Sequence, residues 1–166
     1  METTKPTDNR IFSFLTLYDM QSSFFANAID SITDADAHKR LDTPANHVAW
    51  LTGSLVQQRF EIAGQLTGKE TPSVTDDLFK NNKGIQADAK YPAMQKYKED
   101  WQKITPILRE ALINATPEEL DKKIKFPGME FSVYELVGFF IYREANIIGQ
   151  IALWRRLLGY EPMKYM

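Results

Sequence analysis

The sequence predicts an all-α fold, a four-helix bundle with a long connection between its second and third helices. Three observations carry this. Four stretches of roughly 22 to 25 residues repeat apolar side chains at spacings of three and four, the period of a helix with one buried face. A stretch from Thr67 to Tyr91, dominated by Gly, Pro, Asn, Lys, Ser and Thr, lies between the second and the third. A connection of that length suits a crossover in a bundle. The chain also holds ten Phe, seven Tyr and three Trp, and Phe falls at core spacings in the first and last helices. Rings fill inter-helix volume in few rotamers, so the core should be dense and its pocket narrow.

The first helix spans about Asp8 to Ser31, with Asp8 or Asn9 as N-cap and Ile11, Phe12, Leu15, Tyr18, Phe25, Ile29 and Ile32 at helical spacing. The polar stretch Thr33–Asp42 has room for a helical turn. Thr43-Pro44 reads as the start of the second helix, with proline at the first helical position. This helix should run to about Leu66 and stop at Gly68, with Val48, Leu51, Leu55 and Ile62 on its apolar stripe. In the connection, Val74, Leu78, Phe79 and Ile85 are the bulky anchors, with one short turn at Thr75–Phe79. Pro92 opens the third helix, which Pro106 should kink or break near Ile104. Thr116-Pro117-Glu118-Glu119 is a capped single turn, and Pro127-Gly128 marks a turn or small hairpin.

The last helix is the most clearly bounded. Ser132 and Glu135 form a capping box, Arg155 and Arg156 complement the dipole in the last turn, and Gly159 follows as terminator. Its inward stripe reads Leu136, Phe140, Arg143, Ile147, Gln150, Ile151 and Trp154, apolar except at Arg143 and Gln150.

At 166 residues the chain is expected to form a single domain, residues 1–166. Its net charge of −2 at pH 7 offers no basic surface for nucleic acid. With no cysteine, disulfides, thiolate metal sites and a cysteine nucleophile are excluded. The polar start METTKPTDNR leads into no apolar signal segment, and no uninterrupted run of 18 apolar residues spans a membrane. A cytoplasmic protein with neither nucleic-acid nor membrane partners is the expectation.

Only His38 and His47 are present, so a histidine-rich metal site is out. His47, Ser54 and Glu61 align at intervals of seven, about 10 Å between neighbours along one helix, too far for a catalytic relay. His47 reads as a helix-start histidine at a rim. No phosphate-binding glycine loop and no Glu-x-x-His pair appears.

Asn46–Leu55, NHVAWLTGSL, and Tyr142–Tyr160, YREANIIGQIALWRRLLGY, resemble the second and last helices of the DinB/YfiT-like superfamily. The family's usual forms there are Gly-His-hydrophobic and H-E-A-x-H-x-G-Q-I. The resemblance implies a DinB-like four-helix bundle in which three histidines hold a divalent metal, used by some members in thiol-dependent transfer or isomerisation. The matching positions here are Ser54, Arg143 and Ile147, so the resemblance carries the fold and not the metal; no cofactor is expected. Arg143 on an inward stripe needs a partner, and Glu61, Asp19 and Glu144 are the candidates, with Ser54 and Gln150 beside them. Either it reaches out of the bundle along its stem, or its guanidinium binds a small anion.

Three functions follow as expectations. The first is a metal-free DinB-like protein binding a small molecule, anions included, in the former metal cleft, with Ser54, Arg143, Ile147, His47, Trp50, Glu61 and Gln150 as candidate contacts. The second is a transferase-type enzyme using Arg143, Ser54 and a rim residue, His47 or Tyr142. The third is a structural bundle that pairs as a homodimer. Whether the chain is an enzyme stays open.

Overall fold

The computed structural model describes residues 5–69, 76–79 and 83–165. Asp8 caps a 3-10 turn, Asn9–Ile11, that runs into α1 (Phe12–Ile29). Next come α2 (Asp34–Ala37), α3 (Val48–Thr67), α4 (Asp76–Phe79), α5 (Met94–Asn114) and α6 (Pro117–Asp121). A hairpin of β1 (Lys123–Phe126) and β2 (Met129–Ser132) delivers the chain to α7 (Val133–Leu157). The fold is mostly helical. The hairpin is its one sheet among the described residues, antiparallel with Phe126 opposite Met129, and Gly128 supplies the positive φ of 79° that its turn requires.

The long helices α1, α3, α5 and α7 surround one core, their main contacts running α1–α7, α7–α3, α3–α5 and α5–α1. The long connection therefore joins neighbours, α3 and α5, and is not the crossover. The diagonal steps are α1 to α3 and α5 to α7. Within the connection, Thr75 and Val74 lie outside the described residues, while Phe79 packs edge-on against Trp50 of α3 at 5.8 Å between centroids. Gly53 leaves room for this segment: a Cβ there would meet Phe79 and the Tyr97 hydroxyl at 2.7 Å.

Both capping boxes form, at Thr116 with Glu119 and at Ser132 with Glu135, and Gly159 (φ 86°) ends the last helix as expected. One expectation fails. α3 begins at Val48, not at Pro44, because Thr43 is engaged in a turn: its hydroxyl donates to the Arg40 carbonyl and accepts from the Ala45 N–H. The helix is capped instead by His47, whose Nδ1 accepts from Trp50 N–H at 3.0 Å. Of the two alternatives at Pro106, a kink or a break, the break does not occur: α5 continues to Asn114. Pro106 and Gln102 are both exposed, so the carbonyl left without its helical donor faces water and costs little.

α7 buries Phe140, Ile147, Ile151 and Trp154 of the expected stripe, but Glu144 takes the inward place that was given to Arg143. Val137, Phe140, Ile141, Glu144, Ile147, Ile148 and Ile151 are buried; Arg143 is half-buried and Gln150 exposed. By length and composition α7 is long and apolar enough to cross a membrane, alone in this among the described residues, so the absence of an uninterrupted apolar run did not rule such a segment out. Its middle nevertheless carries a fully buried Glu144 held by a protein partner.

That partner is Arg59 of α3. Both side chains are 0% exposed, and the guanidinium meets the carboxylate in a fork, Nε to Oε1 at 2.5 Å and Nη2 to Oε2 at 3.0 Å. The remaining donors reach Tyr18 (3.1 Å), Thr105 (2.7 Å) and Ser22 (3.0 Å), so all five N–H groups of Arg59 are used. The cation lies between two rings, its Cζ 3.4 Å from the Trp101 centroid and 4.2 Å from that of Tyr18, and Phe25 stacks on Trp101 at 3.7 Å. The acceptors are themselves satisfied: Ser22 donates to the Tyr18 carbonyl, Tyr18 to that of Thr105, and Thr105 to that of Trp101. One residue or more from each long helix belongs to this cluster. Arg59→Met should therefore lower the unfolding free energy by about 3–5 kcal/mol in urea melts, because Glu144 is left buried and unpaired; a loss below about 1 kcal/mol would contradict the role given to the pair.

His47 ties acidity to folding. Burial, with help from His38 and Arg40, pushes its imidazole down to about 4 from 6.5, against the pull of the backbone hydrogen bond. The cap itself needs an unprotonated Nδ1. The unfolded chain takes up this proton near pH 6.5, the folded chain only near pH 4, so the contribution is complete above pH 6.5 and is lost as pH falls to 4. Its size is up to roughly 3 kcal/mol. His47→Asn keeps a capping oxygen and removes the titration. The pH dependence of urea midpoints should flatten between 6.5 and 4 in the variant; identical slopes would refute the assignment.

Candidate functional site

A cleft of about 480 Å³ opens along the seam between α3 and α7, within the size range of small-molecule sites. α3 contributes Trp50, Ser54, Gln57, Gln58 and Glu61, and α7 contributes Leu136, Phe139 and Arg143. These spacings place each set on one face of its helix. Phe79 of α4 closes one side, and Ile124 and Phe126 of the hairpin close another.

Two pairs of neighbouring residues turn Arg143 toward the cleft. On α3 the neighbours are Gln58 and Arg59; on α7 they are Arg143 and Glu144. Arg59 meets Glu144 in the core, and 85 positions also separate Gln58 from Arg143, which meet in the cleft. Consecutive residues on a helix are turned about 100° apart, so one pair faces inward and the other lines the seam.

Arg143 donates through Nη1 to Gln58 Oε1 at 2.5 Å and through Nη2 to Ser54 Oγ at 2.6 Å. Both partners are neutral. Three of its five donors have no protein acceptor among the described residues, which is the opposite of Arg59. Burial lowers its pKa from the ordinary arginine value, while the carboxylates of Glu61 and Glu144 raise it, and an arginine stays protonated under either influence. Glu61 accepts from Gln57 Nε2 at 3.3 Å. Two further polar atoms on cleft side chains, Trp50 Nε1 and Gln57 Oε1, are buried without a hydrogen-bond partner among the described residues.

Of the residues singled out in the sequence, Ser54, Arg143, Trp50 and Glu61 come together here. Ile147 is buried one turn beyond Arg143 and does not line the cleft. His47 is buried at the head of α3 against Tyr91, ring centroids 5.0 Å apart. Gln150 is exposed and donates to Asn146 on its own helix. Asp19 pairs with Arg109, not with Arg143. Gln57, Gln58, Phe79, Phe126 and Phe139 were not foreseen. Gln58 had a signal, since it lies one turn after Ser54 on the same face; the aromatic walls come from segments whose placement no local spacing reveals.

Chemically, the arrangement offers a fixed positive charge with open donors, one hydroxyl and amide groups beside an apolar wall. Among the described residues no base lies at hydrogen-bond distance from Ser54, whose oxygen accepts from Arg143. Among the described residues, no three His, Asp or Glu side chains are grouped as a metal would require. Compared with family models and with curated proteins, the chain matches none.

Proposed function

We propose that the chain is a DinB-like four-helix bundle that binds a small anion in the α3–α7 cleft through Arg143. The observation that carries the reading is a half-buried guanidinium with two neutral partners and three donors left open among the described residues. An arginine so placed suits bidentate recognition of a carboxylate or phosphate. The DinB reading draws support from Ser54 and Arg143, 89 positions apart yet 2.6 Å from each other, as the resemblance expects of the two helices. A divalent cation does not fit these residues. The guanidinium sets a positive charge beside Ser54, and Ile147 has no lone pair to give.

Small carboxylates and inorganic phosphate test this by thermal melting. A ligand at a hundredfold excess over its Kd stabilises the native state by about 2.7 kcal/mol, or about 5–10 °C for a chain of this size. At least one anion should raise the wild-type midpoint on that scale and leave Arg143→Met unmoved. The variant alone should lose less than about 1 kcal/mol, since it leaves no buried carboxylate unpaired. Equal shifts in both proteins would remove Arg143 from the site.

One observation favours a second reading, a chain that pairs with its own copy. Tyr142, Leu153 and Leu157 are 65%, 59% and 56% exposed on α7, and their spacing puts them on one face. Sedimentation equilibrium should then find a dimer that Leu153→Glu converts to a monomer; a monomeric wild type at tens of micromolar concentration would end that reading.

A further inference from the structure

Taking Arg143 as the anion contact proposed above, we infer that the ligand is an amphipathic monocarboxylate, its carboxylate on Arg143 and its apolar chain or ring running out over Phe126 and Phe139. The charge comes first. The described walls carry Arg143, Lys83 and Glu61, two positive groups and one negative, so the cleft complements a single negative charge. A dianion would bring its second charge toward Glu61, whose carboxylate already acts on Arg143.

The rest of the wall is apolar. Leu136, Ile124 and Phe79 line the cleft beyond the guanidinium, and Phe126 and Phe139 border it while 45% and 57% exposed. Their rings come from two separate elements, the hairpin and α7, and leave apolar area in water along the same cleft. A ligand with a carboxylate alone would cover none of it. One with a chain of several methylenes would cover both rings, and removing that surface from water is the source of its affinity. The hairpin holds its position for this without help: its end joins the Ser132 capping box, and Val133 N–H donates to the Lys122 carbonyl at 3.0 Å.

The probes are acetate, butanoate, hexanoate and octanoate, with 1-octanol as the uncharged control, titrated calorimetrically into the full chain. Affinity should rise by about twofold to fourfold per added methylene, and octanol should bind at least tenfold more weakly than octanoate. Phe126→Ser and Phe139→Ser alter exposed rings, so the fold should survive. Each should flatten the chain-length dependence, so that octanoate loses most of its advantage over acetate. Carboxylates of all lengths binding alike would overturn the amphipathic ligand and leave the anion site standing. Octanol binding as tightly as octanoate, or no carboxylate binding at all, would overturn the anion site and this inference with it.

Discussion

The fold depends on one buried ion pair, Arg59 with Glu144. Two charges without solvent are costly unless every donor and acceptor is met, and here the fork to Glu144, three hydroxyls and two aromatic faces meet the guanidinium from all sides. Burial raises the Glu144 carboxyl above its ordinary range, and Arg59 pulls it back down. The result is demanding geometrically. A rotation of α3 or α7 about its axis by one residue would break the fork and bury an unpaired charge, so the pair fixes the rotational setting of both helices.

That setting also makes the cleft. With Glu144 turned into the core, Arg143 is carried about 100° round the helix to the seam; with Arg59 turned in, Gln58 is carried to meet it. The two arginines then do different work. Arg59 is spent entirely on structure, and Arg143 keeps donors facing the cleft. A third, Arg155, is buried at the far end of α7 and donates to the carbonyls of Ala28 and Asp30, where it terminates α1.

Local signals in the chain were legible. Both capping boxes, the terminators Gly68 and Gly159, and the Pro127-Gly128 turn form as read, since each depends on residues within one turn of the backbone. Thr43-Pro44 misled because Thr43 was taken by Arg40 and Ala45 in a competing turn. Periodicity located the last helix and four members of its buried face, Phe140, Ile147, Ile151 and Trp154, but turned the wrong charged residue inward, because an inward Arg143 and an inward Glu144 fit the apolar spacing almost equally. Arg59 had left a trace: the stripe Leu51, Leu55, Ile62 skips the place where it sits, four after Leu55 and three before Ile62. Choosing between the alternatives needs the partner 85 positions away, which no local pattern contains.

Hydrogen exchange at the two arginine Nε–H groups, followed by NMR, tests the division between them most directly. The Nε–H of Arg59 should exchange only when the whole protein unfolds, with a protection free energy that tracks global stability as urea is added. The Nε–H of Arg143 should exchange far faster, by local access to water, and should slow when an anion is bound. Similar exchange at both sites, fast or slow, would contradict the claim that one guanidinium is committed to the fold and the other left open for a ligand.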